Sequence, residues 1–281
     1  MNIVYKNKEK VLNENEKNGV YYLTYPMFEE TGMVKHAFST RLGGVSKGVC
    51  STMNLSFARG DREEDVRENF RRMADVLEVE ENDFVFSKQT HTTNVRVVTE
   101  KDRGKGFTKP LDYDDVDGLV TNVQGICLST FYADCVPLFF VDPVKKAIGL
   151  SHSGWRGTVG KIGKKTVEKM QEEYGSNPKD ILAAIGPSIC QDCYEVSKDV
   201  IEEFKNAFAE KYWADLCYEK ENGKYQLNLW KANECIFWEA GIEKEHIAVT
   251  NICTCCNSEF LFSHRASHGK RGNLAAFLTI Q

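Results

Sequence analysis

Three side chains of metal-binding type each stand at the end of a short apolar run. His91 closes Lys88-Gln89-Thr90-His91 after Phe84-Val85-Phe86. Cys135 lies in Ala133-Asp134-Cys135, between the apolar stretches 126–132 and 136–140. His152 opens His152-Ser153-Gly154-Trp155-Arg156-Gly157 after Ala147-Ile148-Gly149-Leu150. A strand that ends in such a residue, followed by a tight turn, presents the side chain into a cleft. Two imidazole nitrogens and one thiolate suit zinc, and three protein ligands leave a coordination position open, as in catalytic rather than structural sites. A single His or Cys beside a core strand is more often structural, and spacing alone does not bring the three together. Asp134, next to Cys135, is a candidate for orienting a metal ligand or handling a proton, with a structural role as its alternative. The same residues also allow metal-free chemistry, with Cys135 as nucleophile and His152 as base.

Five further cysteines sit in two groups. Cys190 and Cys193 have C-x-x-C spacing, and Cys253, Cys255 and Cys256 follow about sixty residues later. Such spacing suits a tetrahedral thiolate zinc knot. Burial as core thiols is the commoner fate, and none of the five is assigned to the catalytic metal. Other familiar motifs fail. Residues 158–166 resemble a phosphate loop, but Thr158 replaces its first glycine and Lys165 replaces the final Ser/Thr. The nucleobase-deaminase H-x-E…P-C-x-x-C pattern, H-E-x-x-H and G-x-S-x-G are all missing.

The elements that must position these residues read as mixed. Asp61 before an acidic first turn, with Val66, Phe70, Met73, Ala74 and Leu77 at helical spacing, predicts a capped helix. A second helix is expected from near Thr158 to Gly175, and others over 200–208 and 229–240. Strands are expected over 95–99, 126–132, 138–141, 147–151, 181–185 and 273–280. Several strands succeed one another between about residues 84 and 151. The order therefore favours an α+β fold of mixed β-sheets over a doubly wound one. The polar loop from Glu100 to Asp117 is expected to be an exposed excursion beside the cleft.

The chain has 281 residues, 42% of them hydrophobic, with no linker, repeat or low-complexity tract. One compact catalytic domain over 1–281 is expected. The first ten residues lack a signal-type apolar region, and no run is long enough to cross a membrane, so a cytoplasmic protein with ten reduced cysteines is expected. A net charge of −5 argues against nucleic acid as partner.

Taken together, Lys-Gln-x-His, Ala-Asp-Cys-x-Pro-Leu and His-x-Gly-Trp-Arg-Gly resemble the YfiH-like family, also called the laccase-domain or multicopper polyphenol oxidase family. So do Phe38-Ser39-Thr40-Arg41-Leu42-Gly43-Gly44, Asp117-Gly118-Leu119-Val120-Thr121, Cys193-Tyr194-Glu195-Val196, the cysteines from 253 to 256, and Phe262-Ser263-His264-Arg265. The resemblance implies packed β-sheets with peripheral helices. It also implies a zinc enzyme that phosphorolyses purine nucleosides (adenosine, inosine, guanosine, methylthioadenosine) and deaminates adenosine. His91, Cys135 and His152 would be its metal ligands. A monomer or small homo-oligomer is expected. Arg41 and Arg265, which lie in two of these motifs, are candidates for holding phosphate, whereas Arg156 is expected to brace the glycine turn. His264 and His268 are as readily solvent-facing as ligating. The segment after Arg265 departs from the family pattern by lacking a second arginine and an acidic residue, and Arg271 is a candidate for part of the missing charge. Copper-dependent phenol oxidation, which the family label implies, ranks lower because six histidines include no paired motifs for a trinuclear cluster. A cysteine amidase acting on a peptidoglycan precursor and a non-catalytic metal-binding module complete the alternatives.

Overall fold

A computed structural model describes residues 2–281 and leaves Met1, part of the expected domain, outside the description. Two six-stranded sheets pack face to face. The first runs in the order β1 (Asn13–Lys17), β2 (Val20–Thr24), β3 (Val34–Ser39), β15 (Leu274–Ile280), β7 (Cys127–Tyr132), β4 (Phe84–Phe86). The second runs β14 (Ile247–Val249), β10 (Leu182–Ile185), β8 (Val136–Asp142), β9 (Ala147–Ser153), β6 (Gly118–Thr121), β5 (Val95–Val97). A small sheet, β11 (Glu195–Val196), β13 (Tyr225–Leu227) and β12 (Cys217–Glu219), lies apart. Most pairings are antiparallel; β4 with β7, β5 with β6 and β10 with β14 are parallel. The α+β class with mixed sheets is therefore the observed one.

Alternation along the central strands makes the layers. Phe139 and Val141 of β8, with Ile148 and Leu150 of β9, face Leu128 and Leu278 of the first sheet in a shared core. Leu138 and Phe140 point the other way, towards helices α4 (Ile162–Tyr174) and α7 (Leu229–Glu239). Strands covered on both faces read as continuous apolar runs, which is why these two were legible. On the outer face of the first sheet lies α2 (Glu63–Leu77), with Val66, Phe70 and Met73 against Phe84, Phe86 and Phe277. The shorter helices are α1 (Pro26–Glu29), α3 (Trp155–Val159), α5 (Lys198–Ala207) and α6 (Trp213–Leu216). No helix among the described residues is long and apolar enough to cross a membrane.

Three local expectations are corrected. Asp61 does not cap α2: Arg62 occupies that position, while the Asp61 carboxylate accepts from Asn54 Nδ2 at 2.9 Å and from the Arg62 amide at 3.0 Å. The helix expected from Thr158 is two. Lys161, at φ 58°, breaks the path between α3 and α4, and Thr158 Oγ1 is drawn instead to Ser153 Oγ at 2.9 Å. The end at Gly175, φ 67°, is as expected, because a left-handed C-terminal residue costs glycine nothing. Finally, the loop from 100 to 117 is no free excursion. Phe107 packs beneath α2, and buried Asp102 accepts from Arg96 at 2.9 Å and Lys105 at 2.8 Å.

Candidate metal centre

The turn between β7 and β8 carries the chain from one sheet to the other, and Cys135 sits on it. His152 projects from β9, the neighbour of β8, opposite Pro137. His91 lies in the loop between β4 of the first sheet and β5 of the second. Three residues separated by many positions thus meet at the seam of the two sheets. Their ligand atoms all lie within 4.8 Å of one another, and the histidine rings are 4.9 Å apart at 82°. His152 is buried, Cys135 half-buried and His91 exposed, so the cluster is open on one side.

Two side chains hold the His91 loop. Gln89 imitates a strand partner for β7, accepting from the Phe131 amide at 2.7 Å and donating to the Phe131 carbonyl at 2.7 Å. Asp117, fully buried at the head of β6, accepts the backbone amides of Thr90 at 2.9 Å, His91 at 3.1 Å and Thr92 at 3.0 Å. The same carboxylate lies 2.7 Å from His152 Nδ1. One aspartate therefore fixes the His152 ring and the backbone of the His91 loop, leaving His152 Nε2 free to act as ligand, the usual arrangement behind a metal-bound histidine. No role for Asp117 was read from sequence. Its signal was its place in the motif Asp117-Gly118-Leu119-Val120-Thr121 shared with the family, which gave no role for the carboxylate.

Backbone strain marks the same place. His91 at φ 68° and Asp134 at φ 81° are left-handed, a conformation that non-glycine residues keep only when neighbours enforce it. Gly154 leaves the room: a Cβ there would come within 2.9 Å of His91 Cδ2 and 3.3 Å of Cys135 Sγ. Burial alone would push the Cys135 thiol up, but the charge and hydrogen bond of His152, with His91 beside it, bring it down to about 6. Burial would likewise lower His152, yet the Cys135 thiolate and Asp117 raise it to about 9. In the metal-free pair each group favours the charged form of the other, thiolate and imidazolium.

Two cavities meet at the triad. One, of about 360 Å³, is lined by all three residues and by Arg59, Lys88 and Arg271. The other, of about 270 Å³, is lined by His91, Cys135, Asp134, Arg156, Trp155 and Tyr194, among others. Asp134 is mostly buried, and both carboxylate oxygens are engaged, with Thr254 Oγ1 at 2.6 Å and the Arg265 amide at 2.7 Å.

The arginines are placed differently from expectation. Arg41 lines neither cavity at the triad; its guanidinium donates to the carbonyls of Ser51 and Ser258 and lies over Phe262. Arg265 also lines neither, donating to the Glu195 carbonyl at 3.0 Å above the Tyr194 ring. Arg156 does not brace the turn but stands exposed in the second cavity, over Trp155. Arg271 is the buried cation: it donates to Asn273 Oδ1, approaches His264 Nδ1 at 3.4 Å, and its Nε has no hydrogen-bond partner. Burial and nearby Arg59 lower it to about 10. His268 lines neither cavity.

A model of the family described as multi-copper polyphenol oxidoreductase laccase matches residues 35–281. The chain belongs to this laccase-domain family, the YfiH-like proteins. A relative named purine nucleoside phosphorylase YlmD, from Bacillus subtilis (strain 168), is 38% identical over 243 residues, 86% of each chain. One named adenosine deaminase RL5, from an unknown prokaryotic organism, is 37% identical over 82% of this chain and 87% of its own. The crystal structure of YlmD from Geobacillus stearothermophilus superposes with a TM-score of 0.88 at 34% identity, covering 96% of this laccase-domain chain and 99% of the other.

Proposed function

We propose that this chain is a zinc-dependent purine nucleoside phosphorylase that also deaminates adenosine. The observation that carries the reading is a single cleft of about 360 Å³ in which three converging metal-ligand atoms face Arg59, Lys88 and Arg271. Its size lies in the range of small-molecule sites. The relatives named for the two activities supply the substrate class.

The donor set fits zinc: two imidazoles and a thiolate, with Asp117 behind one imidazole and one side open. Held there, zinc would supply Lewis-acid chemistry at its free coordination position. The chain's own residues do the rest. Arg59 and Arg271 would hold inorganic phosphate, whose charge a guanidinium fork matches. Phe86 and Phe131, in the same lining, offer the purine an apolar wall. With both reactants fixed, a phosphate oxygen bonds to the anomeric carbon as the glycosidic C–N bond breaks and its electron pair leaves with the base. Deamination differs: water replaces the amino group at C6 and ammonia leaves, with no phosphate consumed. Ten unpaired cysteines suit a reducing, cytoplasmic setting.

A second reading rests on Cys135 Sγ and a His152 ring nitrogen within 4.8 Å of each other, a nucleophile beside a base whose mutual shifts favour thiolate and imidazolium, as in a cysteine hydrolase. Copper-based phenol oxidation has less support. Among the described residues the one ligand group containing histidine is the triad, which lacks the histidine pairs of a trinuclear cluster. Product identification from adenosine with and without phosphate decides between them. Adenine and ribose 1-phosphate formed only with phosphate, and inosine formed regardless, are expected. Absence of both products from metal-loaded protein would remove the assignment.

A further inference from the structure

Outside the cleft, Cys190, Cys193, Cys253 and Cys256 bring four sulfurs within 4.8 Å of one another. We propose that these four thiolates form a second, closed metal site that binds one zinc ion and braces the wall of the catalytic cleft. The expectation of separate core thiols is thereby replaced, and Cys255 is left outside the group.

Geometry carries this reading. Both halves are C-x-x-C turns, each supplying two sulfurs from one loop, the arrangement that tetrahedral thiolate sites use. Cys193 and Cys256 place their sulfurs 3.6 Å apart. Two sulfurs on a tetrahedral zinc with bonds of about 2.3 Å stand about 3.8 Å apart, whereas a disulfide needs about 2.05 Å. The inner sulfur, that of Cys253, accepts the backbone amides of Cys190 at 3.2 Å and Cys256 at 3.5 Å. Such N–H donors stabilise a thiolate rather than a thiol. Lys6, paired with Asp192 at 2.7 Å, adds a cation from the N-terminal segment beside the first turn. With four protein ligands no position remains for substrate, so the site is structural in kind.

Its place explains what it would hold. The first turn leads from Ile189, whose amide donates to the Asp134 carbonyl at 3.0 Å, to Tyr194, and both residues line the second cavity. The second turn contains Thr254, whose hydroxyl donates to Asp134 Oδ1 at 2.6 Å. An ion joining the turns fixes Asp134 from two sides, and Asp134 precedes Cys135.

This inference does not rest on the purine reading, and its test separates them. Metal analysis of purified wild-type protein should give about two zinc ions per chain, and Cys135→Ala should retain about one. Cys193→Ser/Cys256→Ser should lose the other and melt at a lower temperature. If that variant does not fold, differential alkylation of wild-type protein still decides. The thiols of Cys190, Cys193, Cys253 and Cys256 should be protected in metal-loaded protein and react after chelation. A Cys135→Ala protein without zinc, four thiols that alkylate freely in metal-loaded protein, or a disulfide among them would each overturn the site.

Discussion

The two sulfur-bearing clusters differ in how they are assembled. His91, Cys135 and His152 come from three separate segments spanning both sheets, graded from exposed to buried and bordered by two cavities. The four-cysteine cluster comes from two short turns, runs likewise from buried Cys190 and Cys253 to exposed Cys256, and lines neither of those cavities. Ligands delivered singly by a sheet seam leave space between them, and both cavities open there. Ligands delivered in pairs close around an ion. On the proposed functions, the number of donors and the elements that carry them set a reactive centre apart from a brace, although both clusters use cysteine.

Removing a triad ligand should have the largest effect. His91→Ala, Cys135→Ala or His152→Ala should each abolish metal binding at the triad and lower phosphorolysis and deamination by at least about 100-fold, as the loss of several kcal/mol of stabilisation implies. Steady-state rates and metal content measured on the same folded samples check it. Unchanged rates would mean that the seam is not the reaction centre.

Next comes the support. Asp117→Asn keeps the shape but places an amide donor among three backbone N–H groups and His152. Zinc affinity at the triad should fall roughly 10- to 100-fold, read by competition with a chelating dye. The four-cysteine cluster should keep its metal.

The cationic wall distinguishes the two reactions. Arg271→Ala should raise the KM for phosphate by about tenfold or more, as expected for losing a charge-assisted hydrogen bond of about 1.5–3 kcal/mol, while deamination changes little. Arg41→Ala should instead cost about 2 kcal/mol of stability, seen in denaturant unfolding, and affect both activities alike, because its donors serve Ser51 and Ser258. A phosphate-selective defect in Arg41→Ala would reverse this placement.

These arginines show where the sequence stopped being readable. Type and motif marked Arg41 and Arg265 as candidates, but direction is a property of tertiary packing, and packing turned them to backbone carbonyls while Arg271 faced the cleft. Each triad ligand was marked as a candidate by the apolar run it ends, but that the three converge was legible only through the family resemblance of their flanking motifs. Asp117 was not, since its partners are amides of a loop some 25 residues earlier, which no local pattern encodes. The edge strand β1, Asn13-Glu14-Asn15-Glu16-Lys17, carries no apolar face to announce it. The two C-x-x-C turns were visible singly. Their pairing across 63 residues, and the choice of Cys256 over Cys255, needed the fold.

The smallest effect concerns protons. In the metal-free triad Cys135 ionises near 6 and His152 holds its proton to about 9. At pH 7 the thiolate is already formed and only the imidazolium must deprotonate to become a ligand. Zinc binding at the triad should therefore release about one proton per ion and tighten about tenfold per pH unit between about 6 and 9. Calorimetry of a variant lacking the four-cysteine site, in buffers of different ionisation enthalpy, counts the proton. Release of none would contradict the ion pair.

Attack on the nucleoside by phosphate held beside the triad is checked with oxygen-18-labelled phosphate and adenosine, followed by mass spectrometry of the sugar product. Wild-type protein should give ribose 1-phosphate that retains every labelled oxygen, and Cys135→Ala should give none. Free ribose as the sole sugar product, or equal labelled product from Cys135→Ala, would contradict it.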